Sequence, residues 1–275
     1  MKSIALALIM VVALSLHGCS QSSASKKENA GSQVVVGGEC EGCEAVHESP
    51  IPFDKLPSSL TLPDFKDPGP KIEISGTIYQ RDGRTPAPVV VLYVYHTDQD
   101  GNYATRGDEA GWGKRHGYNR GWLKTDDKGF YQVFTLVPAS YPNSNNPKHI
   151  HPIIKEPGKT EYWIDEFLFA DDPLLKPAEK NPTDPRGGSG VLTPVKKDGM
   201  LRATRNIVLG LNIPGYPVAN AKESLQQSTA AGSGFPDLSP FFYPRIVRES
   251  IYLSEAATKY PEERWTGERN GACSK

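Results

Sequence analysis

Residues 71–79 (KIEISGTIY) and 89–96 (VVVLYVYH) decide the fold class of this chain. In the first stretch apolar and polar residues alternate, which is the pattern of a strand with one buried face. The second stretch is β-branched and aromatic, which is typical of a buried strand. Without amphipathic helices between them, further short stretches of this kind follow at 130–137, 149–155, 161–169, 191–196 and 203–211. The pattern predicts an all-β fold, an antiparallel β-sandwich with long loops and extended N- and C-terminal arms.

The N-terminal segment has the composition of an export signal. Residues 1–18 contain a basic start and an apolar run from Ile4 to Leu16, which is too short to span a membrane. Cys19 follows Gly18, a spacing typical of a bacterial lipoprotein signal. We therefore expect lipid on Cys19 and a chain anchored on the periplasmic or cell-surface side. An ordinary secretory signal with an incidental cysteine is the alternative.

The remaining segments differ in composition from the predicted sandwich. Residues 19–38 are mostly polar or small and predict a flexible tether. We expect an N-terminal arm at 39–70, the β-sandwich at 71–212 and a C-terminal extension at 213–275. Within the sandwich, a loop at 104–121 is rich in glycine and charge, and loops of that length are often functional.

The charge balance excludes two classes of partner. The chain has 31 basic and 32 acidic residues, for a formal net charge of -1. This gives no electrostatic reason to expect nucleic acid or an acidic membrane surface as a partner. Membrane contact is thus expected through the lipid anchor only, and no oligomeric state is predicted.

Three cysteines remain besides Cys19. Cys40 and Cys43 form a CxxC motif, and Cys273 lies near the C-terminus. A local disulfide, half of a metal site and a redox pair are all compatible with a CxxC. The chain has no second CxxC and no surrounding βαβ pattern, so the disulfide is favoured, with a bond to Cys273 as an open alternative. His47, beside the motif, is a weak metal candidate.

A pair of histidines provides the first chemical motif. His149 and His151 are two residues apart in a predicted strand, so their side chains point to the same face. Two imidazoles on one face can converge on a metal, although one of them is more often a structural polar residue. Tyr103, at a predicted strand end, and Tyr141, in a proline-rich turn, precede the pair. Either tyrosine alone would be structural by default.

Together these motifs resemble the intradiol ring-cleavage dioxygenases, a family that includes protocatechuate 3,4-dioxygenase. The resemblance covers roughly residues 71–212, with the motifs in the family's order. It is carried by Gly101–Tyr103, Arg120–Asp126, Gly129–Tyr131, Phe134–Leu136, Pro138, Tyr141–Pro142, His149–His151, Asp172–Leu174, Asp198–Gly199, Ala203 and Asn206–Leu209.

The resemblance implies a non-haem Fe(III) site whose ligands are Tyr103, Tyr141, His149 and His151. Phenolates are hard anionic donors that favour Fe(III). Tyr141 would be the axial ligand, displaced when a catechol-type substrate chelates the iron. The substrates would be the catechol and O2, and the product would be a muconate-type diacid. No NADH, flavin or haem is implied.

Two positions depart from the family pattern. The family usually has an arginine three residues before the first histidine, where this chain has Asn146. It also usually has a glutamine where this chain has Glu166, and a carboxylate there would repel a catecholate. We hypothesise that Arg120 or Lys148 supplies the missing positive charge. The alternative for Arg120 is an ion pair with a loop carboxylate.

The aromatic residues Trp112, Tyr118 and Trp122 either line a substrate pocket or fasten the long loop to the sandwich. His96 and His116 are interpreted as non-ligands. Two other functions compete with ring cleavage. One is a non-catalytic β-sandwich that binds a cell-envelope ligand. The other is a metal-binding or redox accessory protein centred on Cys40 and Cys43.

Overall fold

The computed structural model describes residues 33–218. The predicted signal peptide, the lipidation site Cys19, Cys273 and all but the first six residues of the C-terminal extension lie outside the described residues. Among residues 33–218, no helix is long and apolar enough to span a membrane.

Most of the regular secondary structure of the described region consists of short strands. These are β1 Ser59–Thr61, β2 Lys71–Tyr79, β3 Val91–His96, β4 Arg120–Lys124, β5 Phe130–Leu136, β6 His149–Lys155, β7 Tyr162–Trp163, β8 Phe167–Phe169, β9 Val191–Leu192, β10 Val195–Lys197, β11 Met200–Thr204 and β12 Ile207–Val208. The helices are 3-10 turns at Cys43–Glu48, Phe53–Lys55 and Pro63–Lys66, and the single-turn helices α1 Gly113–His116 and α2 Pro177–Lys180.

The strands form two sheets. The first has the order β1-β5-β2-β11-β10, with β12 also paired to β2, and the second has the order β4-β3-β6-β8-β9, with β7 paired to β6. The longest pairings are antiparallel and join β2 to β5, β3 to β6 and β3 to β4. Parallel pairs also occur at β1–β5, β2–β11, β2–β12 and β8–β9, so both sheets are mixed. The predicted all-β sandwich is confirmed, and the parallel pairs are a feature that strand periodicity does not encode.

One apolar core joins the two sheets. The inward side chains of β2, including Ile72 and Ile74, pack in the same cluster as Leu92 of β3 and Ile150 of β6. All four are at most 2% exposed. Burying each such side chain contributes roughly 1.5–3 kcal/mol relative to leaving it in water. Because successive side chains of a strand point to opposite faces, the intervening residues of β3 and β6 lie on the outer face of the second sheet.

The N-terminal arm covers part of that outer face. Cys43, Val46 and Leu56 of the arm are buried against Tyr93 of β3 and Ile153 of β6 in a second apolar cluster. The predicted disulfide between Cys40 and Cys43 is confirmed and closes the first turn of the arm. The arm thus buries part of the outer face of the second sheet, and the candidate site lies on that same face.

The strand boundaries differ from the sequence prediction in three places. Arg120 begins a strand, although the predicted loop ran to residue 121. The predicted strand at 161–169 is two short strands, β7 and β8, and the C-terminal stretches are likewise divided. Short apolar stretches predict that a segment is extended, but pairing partners decide where each ladder stops.

Candidate metal centre

Strand β6 places both histidines on the outer face of the second sheet. Ile150 and Ile154 point into the core between the sheets, and Ile153 points toward the arm. Since residues two apart share a face, His149 and His151 project on the same side as Ile153. The same-face prediction for these two histidines is therefore confirmed.

A tight turn after β3 carries Tyr103 to this face. The carboxylate of Asp98 accepts hydrogen bonds from the backbone N–H groups of Asp100 and Asn102, both at 2.9 Å. Gly101 adopts φ +78, and a Cβ there would overlap the carbonyl oxygen of Ser140. The glycine thus lets the turn lie directly against the segment that carries the next tyrosine.

Four donor atoms converge in the space between the turn and β6. The hydroxyl oxygens of Tyr103 and Tyr141 are 2.5 Å apart. His149 Nε2 lies 3.1 Å from the Tyr141 oxygen, and His151 Nε2 lies 2.9 Å from the Tyr103 oxygen and 3.3 Å from the Tyr141 oxygen. The two Nε2 atoms are 3.0 Å apart. We call these four residues the quartet.

The hydrogen bond of His149 sets its tautomer. Its Nδ1 lies 2.7 Å from the carbonyl oxygen of Pro147, and a carbonyl only accepts, so Nδ1 carries the proton. The Nε2 lone pair of His149 therefore faces the quartet. His151 Nδ1 has the carboxylate of Glu166 at 3.8 Å. His149, with its lone pair directed inward and an acceptor on Nδ1, has the usual arrangement of a metal-bound histidine, whereas the 3.8 Å distance at His151 is too long for a hydrogen bond.

The electrostatics of the quartet keep both tyrosines and His151 neutral in the protein alone. Burial, reinforced by the neighbouring Tyr141, raises the pKa of Tyr103. Burial also raises the pKa of Tyr141, although the hydrogen bond with Tyr103 opposes it. Burial and the neighbouring His149 hold the pKa of His151 well below its ordinary range. Phenolates form here only if a cation supplies compensating positive charge.

The donor set fits a hard, highly charged metal ion. Two phenol oxygens and two imidazole nitrogens meet within hydrogen-bond distance, as ligands around one ion must. In the part of the chain from 33 to 218, no group of three or more histidine, cysteine, aspartate or glutamate side chains is arranged to hold a metal ion. Tyrosine is not one of these four residue types, and it supplies half of the donors in the quartet. The quartet is therefore the candidate metal centre of the described region.

The charges around the quartet are mostly paired. Lys148 points to Asp171, with its Nζ 3.2 Å from the carboxylate. Asn146 is exposed and brings no positive charge. The carboxylate of Glu166 is 43% exposed beside His151. The surroundings of the quartet thus carry a partly exposed negative charge.

Arg120 has a carboxylate partner. Its guanidinium donates to Glu48 of the arm at 2.7 Å, and it lies over the ring of Trp122. This ion pair is the alternative weighed for Arg120, although the carboxylate comes from the arm and not from the loop. A catalytic role for Arg120 stays a prediction.

Trp112 and Tyr118 of the long loop, and Trp122 of β4, contact neighbouring segments. Trp122 Nε1 donates to the carbonyl oxygen of Ala45 in the arm, and Trp112 packs in the cluster beneath the arm. Tyr118 donates its hydroxyl to the carboxylate of Asp67.

The remaining histidines contact other groups. His96 is buried and bonds Thr135, while His47 lies 2.9 Å from Glu161. His116 bonds the Tyr93 hydroxyl at 2.9 Å. The interpretation of His96 and His116 as non-ligands stays a prediction.

Sequence reasoning missed Tyr95. Its ring stacks on His151 with centroids 4.6 Å apart and an interplanar angle of 16°. The only sequence signal is that Tyr95 shares a strand face with Tyr93. The contact depends on the register of β3 against β6, where Tyr95 lies opposite His151. The sequence does not specify that register.

The fold and the quartet define a class: an all-β sandwich with a candidate metal centre of two tyrosines and two histidines on one sheet face. Residues 47–180 match the family model described as "Dioxygenase". The catechol 1,2-dioxygenase of Acinetobacter baylyi is 26% identical over 170 residues, which cover 50% of this chain and 53% of that protein. The chain thus matches about half the length of this curated relative.

Two solved structures are also similar. One is the dioxygenase domain of a dioxygenase and carbohydrate-binding protein fusion from Streptomyces sp. SirexAA-E, at 23% identity and TM-score 0.41, covering 56% of this chain and 90% of that chain. The other is a mercury-inhibited catechol 1,2-dioxygenase from Acinetobacter sp., at 20% identity and TM-score 0.43, covering 59% of this chain and 61% of that chain.

The domain that contains residues 47–180 belongs to the intradiol ring-cleavage dioxygenase family. The protocatechuate-like subtype stays a prediction.

Proposed function

We propose that this protein is a non-haem Fe(III) intradiol dioxygenase that cleaves a catechol-type ring between its two hydroxyl-bearing carbons. The observation that carries the proposal is the convergence of Tyr103, Tyr141, His149 and His151 within a domain of this family. Hard oxygen donors with two imidazoles suit Fe(III) better than softer or less charged ions.

When bound, Fe(III) would act as a Lewis acid and as a template for the catechol oxygens. The chain's own residues would hold the ion and manage the substrate protons. Tyr103, His149 and His151 would remain in place, because a turn fixes the first and β6 fixes the other two. Tyr141 lies between two prolines, outside any strand. As a phenolate its Oη would accept a proton from a catechol hydroxyl.

The overall reaction consumes one catechol and one O2. Both oxygen atoms enter the product, the bond between the hydroxyl-bearing carbons breaks, and the ring opens to a diacid of the muconate type. No external reductant is required, because the four electrons that reduce O2 come from the substrate. The ring substituents that the site accepts depend on the charges around it, and Glu166 is the carboxylate beside His151.

The test is to measure the iron content and visible spectrum of the domain without its signal segment. A stoichiometric iron with a broad tyrosinate-to-Fe(III) absorption band, lost or shifted in Tyr103→Phe, is expected. Tyr118→Phe is the matched control, because its hydroxyl bonds Asp67 and lies outside the quartet. Oxygen uptake with a catechol, and a diacid product, would then establish intradiol cleavage.

A protein that takes up no Fe(III) would instead favour the non-catalytic envelope-binding alternative. The accessory role centred on the CxxC motif has less support, because the sulfurs of Cys40 and Cys43 are bonded to each other. The accessory role would gain support if the domain bound no iron but bound another metal through Cys40 and Cys43. That binding would have to survive His149→Ala.

We also propose that the protein is an exported lipoprotein anchored through Cys19. The disulfide between Cys40 and Cys43 supports export, since such bonds persist in oxidising compartments. Expression of the full chain in a bacterial host, followed by membrane fractionation, tests the anchor. The wild-type chain is expected with the membranes and Cys19→Ala in a soluble or unprocessed form. Equal distribution of both chains would argue against lipid attachment.

A further inference from the structure

Three stacked rings connect the arm to the quartet. The ring of His116 lies on the ring of Tyr95 with centroids 3.8 Å apart and an interplanar angle of 6°. Tyr95 in turn lies on His151, at 4.6 Å and 16°. A Cβ built on Gly42 would approach His116 Nε2 to 2.9 Å, so the backbone of the CxxC turn closes the outer side of the stack. We call the rings of His116, Tyr95 and His151 the aromatic stack.

The arm is held against this stack by several contacts. The disulfide between Cys40 and Cys43 closes the turn that contains Gly42, which has φ +85. The 3-10 helix Cys43–Glu48 follows this turn. Glu48, at its end, accepts a hydrogen bond from the backbone N–H of Trp112 at 2.8 Å. That bond ties the arm to the residue preceding α1, the helix that ends in His116.

His116 has a fixed position of its own. It is 5% exposed, and its Nδ1 lies 2.9 Å from the Tyr93 hydroxyl. Burial, together with Arg120 and Arg115, lowers its pKa to about 4. The His116 ring is therefore neutral and buried between the disulfide turn and Tyr95.

The two histidines of the quartet are supported differently. His149 is oriented by a hydrogen bond of 2.7 Å from Nδ1 to the Pro147 carbonyl. The Glu166 carboxylate lies 3.8 Å from His151 Nδ1, which is too long for a hydrogen bond. Since a ring held on one face by a parallel neighbour cannot tilt toward it, the stack supplies the orientation that a hydrogen bond supplies for His149.

We propose that Tyr95 and His116 are positioning residues for the metal ligand His151, and that the disulfide-closed turn at Cys40–Cys43 holds them in place. The inference rests on the proposed metal centre. It goes beyond that function, because it assigns a role to the CxxC motif, which precedes the family match at 47–180. The contacts predict that loosening the turn weakens metal retention without removing a ligand.

The main test compares the rates at which Fe(III)-loaded variants release iron to a chelator. Tyr95→Leu removes the stacked ring, and we expect release on the order of tenfold faster, as for other residues that orient metal ligands. Tyr95→Phe keeps the ring and should restore the wild-type rate. Phe134→Leu is the matched control, because Phe134 lies in β5 of the other sheet and its ring packs on Phe65.

The turn is tested with the double variant Cys40→Ser and Cys43→Ser. A variant is preferable to a thiol reductant, because the reductant would also reduce Fe(III). Faster iron release and a shifted tyrosinate band are expected, whereas Phe134→Leu, which removes a ring from the other sheet, should release iron at the wild-type rate. Release rates equal to wild type in both this variant and Tyr95→Leu would overturn the proposal.

A wild-type protein that binds no Fe(III) would refute the proposed function separately. The positioning role is then read in the metal-free protein from the ring ¹H–¹⁵N resonances of His151. Tyr95→Leu should shift or broaden them, whereas Phe134→Leu should leave them in place. Unchanged His151 resonances in Tyr95→Leu would exclude the positioning role.

Discussion

The Nε2 atoms of His149 and His151 lie 3.0 Å apart, and the Nε2 of His149 carries a lone pair because its Nδ1 donates to Pro147. Lone pairs directed at one another repel unless a proton or a cation lies between them. Burial holds the pKa of His151 well below its ordinary range, so the pair gains no additional proton, and the neutral His151 ring fills the gap only as its Nε2–H tautomer. In the Nδ1–H tautomer of His151 both lone pairs face the gap, and one cation can then bind both nitrogens.

Metal loading should consequently stabilise the fold. At free Fe(III) about 100 times the dissociation constant, the expected stabilisation is about 2.7 kcal/mol. For a domain of this size that corresponds to a rise in melting temperature of roughly 5–10 °C. Differential scanning fluorimetry with and without an Fe(III) chelate measures the shift.

The control for this prediction is a pair of histidine substitutions. His149→Ala removes a ligand and should abolish the shift. His47→Ala removes a half-exposed histidine whose partner is Glu161, and it should retain the full shift. An equal loss in both variants would contradict binding at the quartet.

Glu166→Gln should change which catechols bind. The Glu166 carboxylate beside His151 repels an anionic substituent on the ring, since like charges a few ångströms apart in partly exposed sites interact appreciably. We expect Glu166→Gln to tighten binding of a carboxylated catechol by roughly three- to tenfold and to leave unsubstituted catechol nearly unchanged. Anaerobic titrations of the iron-loaded protein, followed through the visible band, give both dissociation constants.

Glu161→Gln provides the matched control for Glu166. Glu161 is a nearby carboxylate, but it pairs with His47 and Lys155. Its substitution should leave the ratio of the two dissociation constants unchanged. A selectivity change that does not diminish with added salt would argue against an electrostatic origin.

The Glu48–Arg120 ion pair should make the arm sensitive to acid. Burial raises the pKa of Glu48, but hydrogen bonds from Arg120 and from the Trp112 N–H, with the charge of Arg120, outweigh it and hold the pKa below 4.5. The stabilisation is therefore complete above pH 4.5 and is lost as the pH falls through the lowered pKa. At pH 7, Glu48→Gln should cost about 1 kcal/mol, or roughly 2–4 °C in melting temperature.

Melting curves of wild type and Glu48→Gln between pH 3 and pH 7 test this prediction. The difference in melting temperature should be constant near neutrality and shrink below pH 4.5. Asp54→Asn is the comparison, because the Asp54–Lys55 pair in the same arm is exposed on both sides. Such a pair contributes little, so its variant should follow the wild type throughout.

A buried polar group behind the site should be costly to break. The Thr135 hydroxyl lies 2.9 Å from Asp64 and 2.6 Å from His96 Nε2, and all three residues are at most 2% exposed. Thr135→Val keeps the shape but leaves Asp64 and His96 short of a partner. We expect a loss of about 1–3 kcal/mol in unfolding free energy, measured by urea denaturation.

Thr204→Val is the control for Thr135, since Thr204 is an exposed strand residue. Its substitution should change the unfolding free energy by less than about 0.5 kcal/mol. Equal effects of the two substitutions would show that the threonine hydroxyl makes no special contribution in the core.

Strand β6 shows what the sequence can specify. The predicted stretch and the observed strand share the bounds 149–155, and the same-face placement of His149 and His151 followed directly. Both depend on geometry that extends over only two residues. The disulfide between Cys40 and Cys43 is of the same kind, because the two cysteines are only three positions apart.

The convergence of the quartet was expected only from the family resemblance. Tyr103 is 38 residues from Tyr141 and 48 residues from His151 along the chain. Periodicity does not indicate which of the twelve tyrosines would meet the histidines. The turn at Gly101 and its packing on Ser140 bring them together.

The sequence by itself determined the all-β class, the HxH face and the local disulfide, because each depends on neighbours a few residues apart. Only the tertiary structure decided that Tyr95 lies on His151, that Glu48 neutralises Arg120, and that the arm buries this sheet face. Strand register and the seating of an arm depend on packing between distant segments. Many distant pairings satisfy the same local pattern, and the packed core selects one of them.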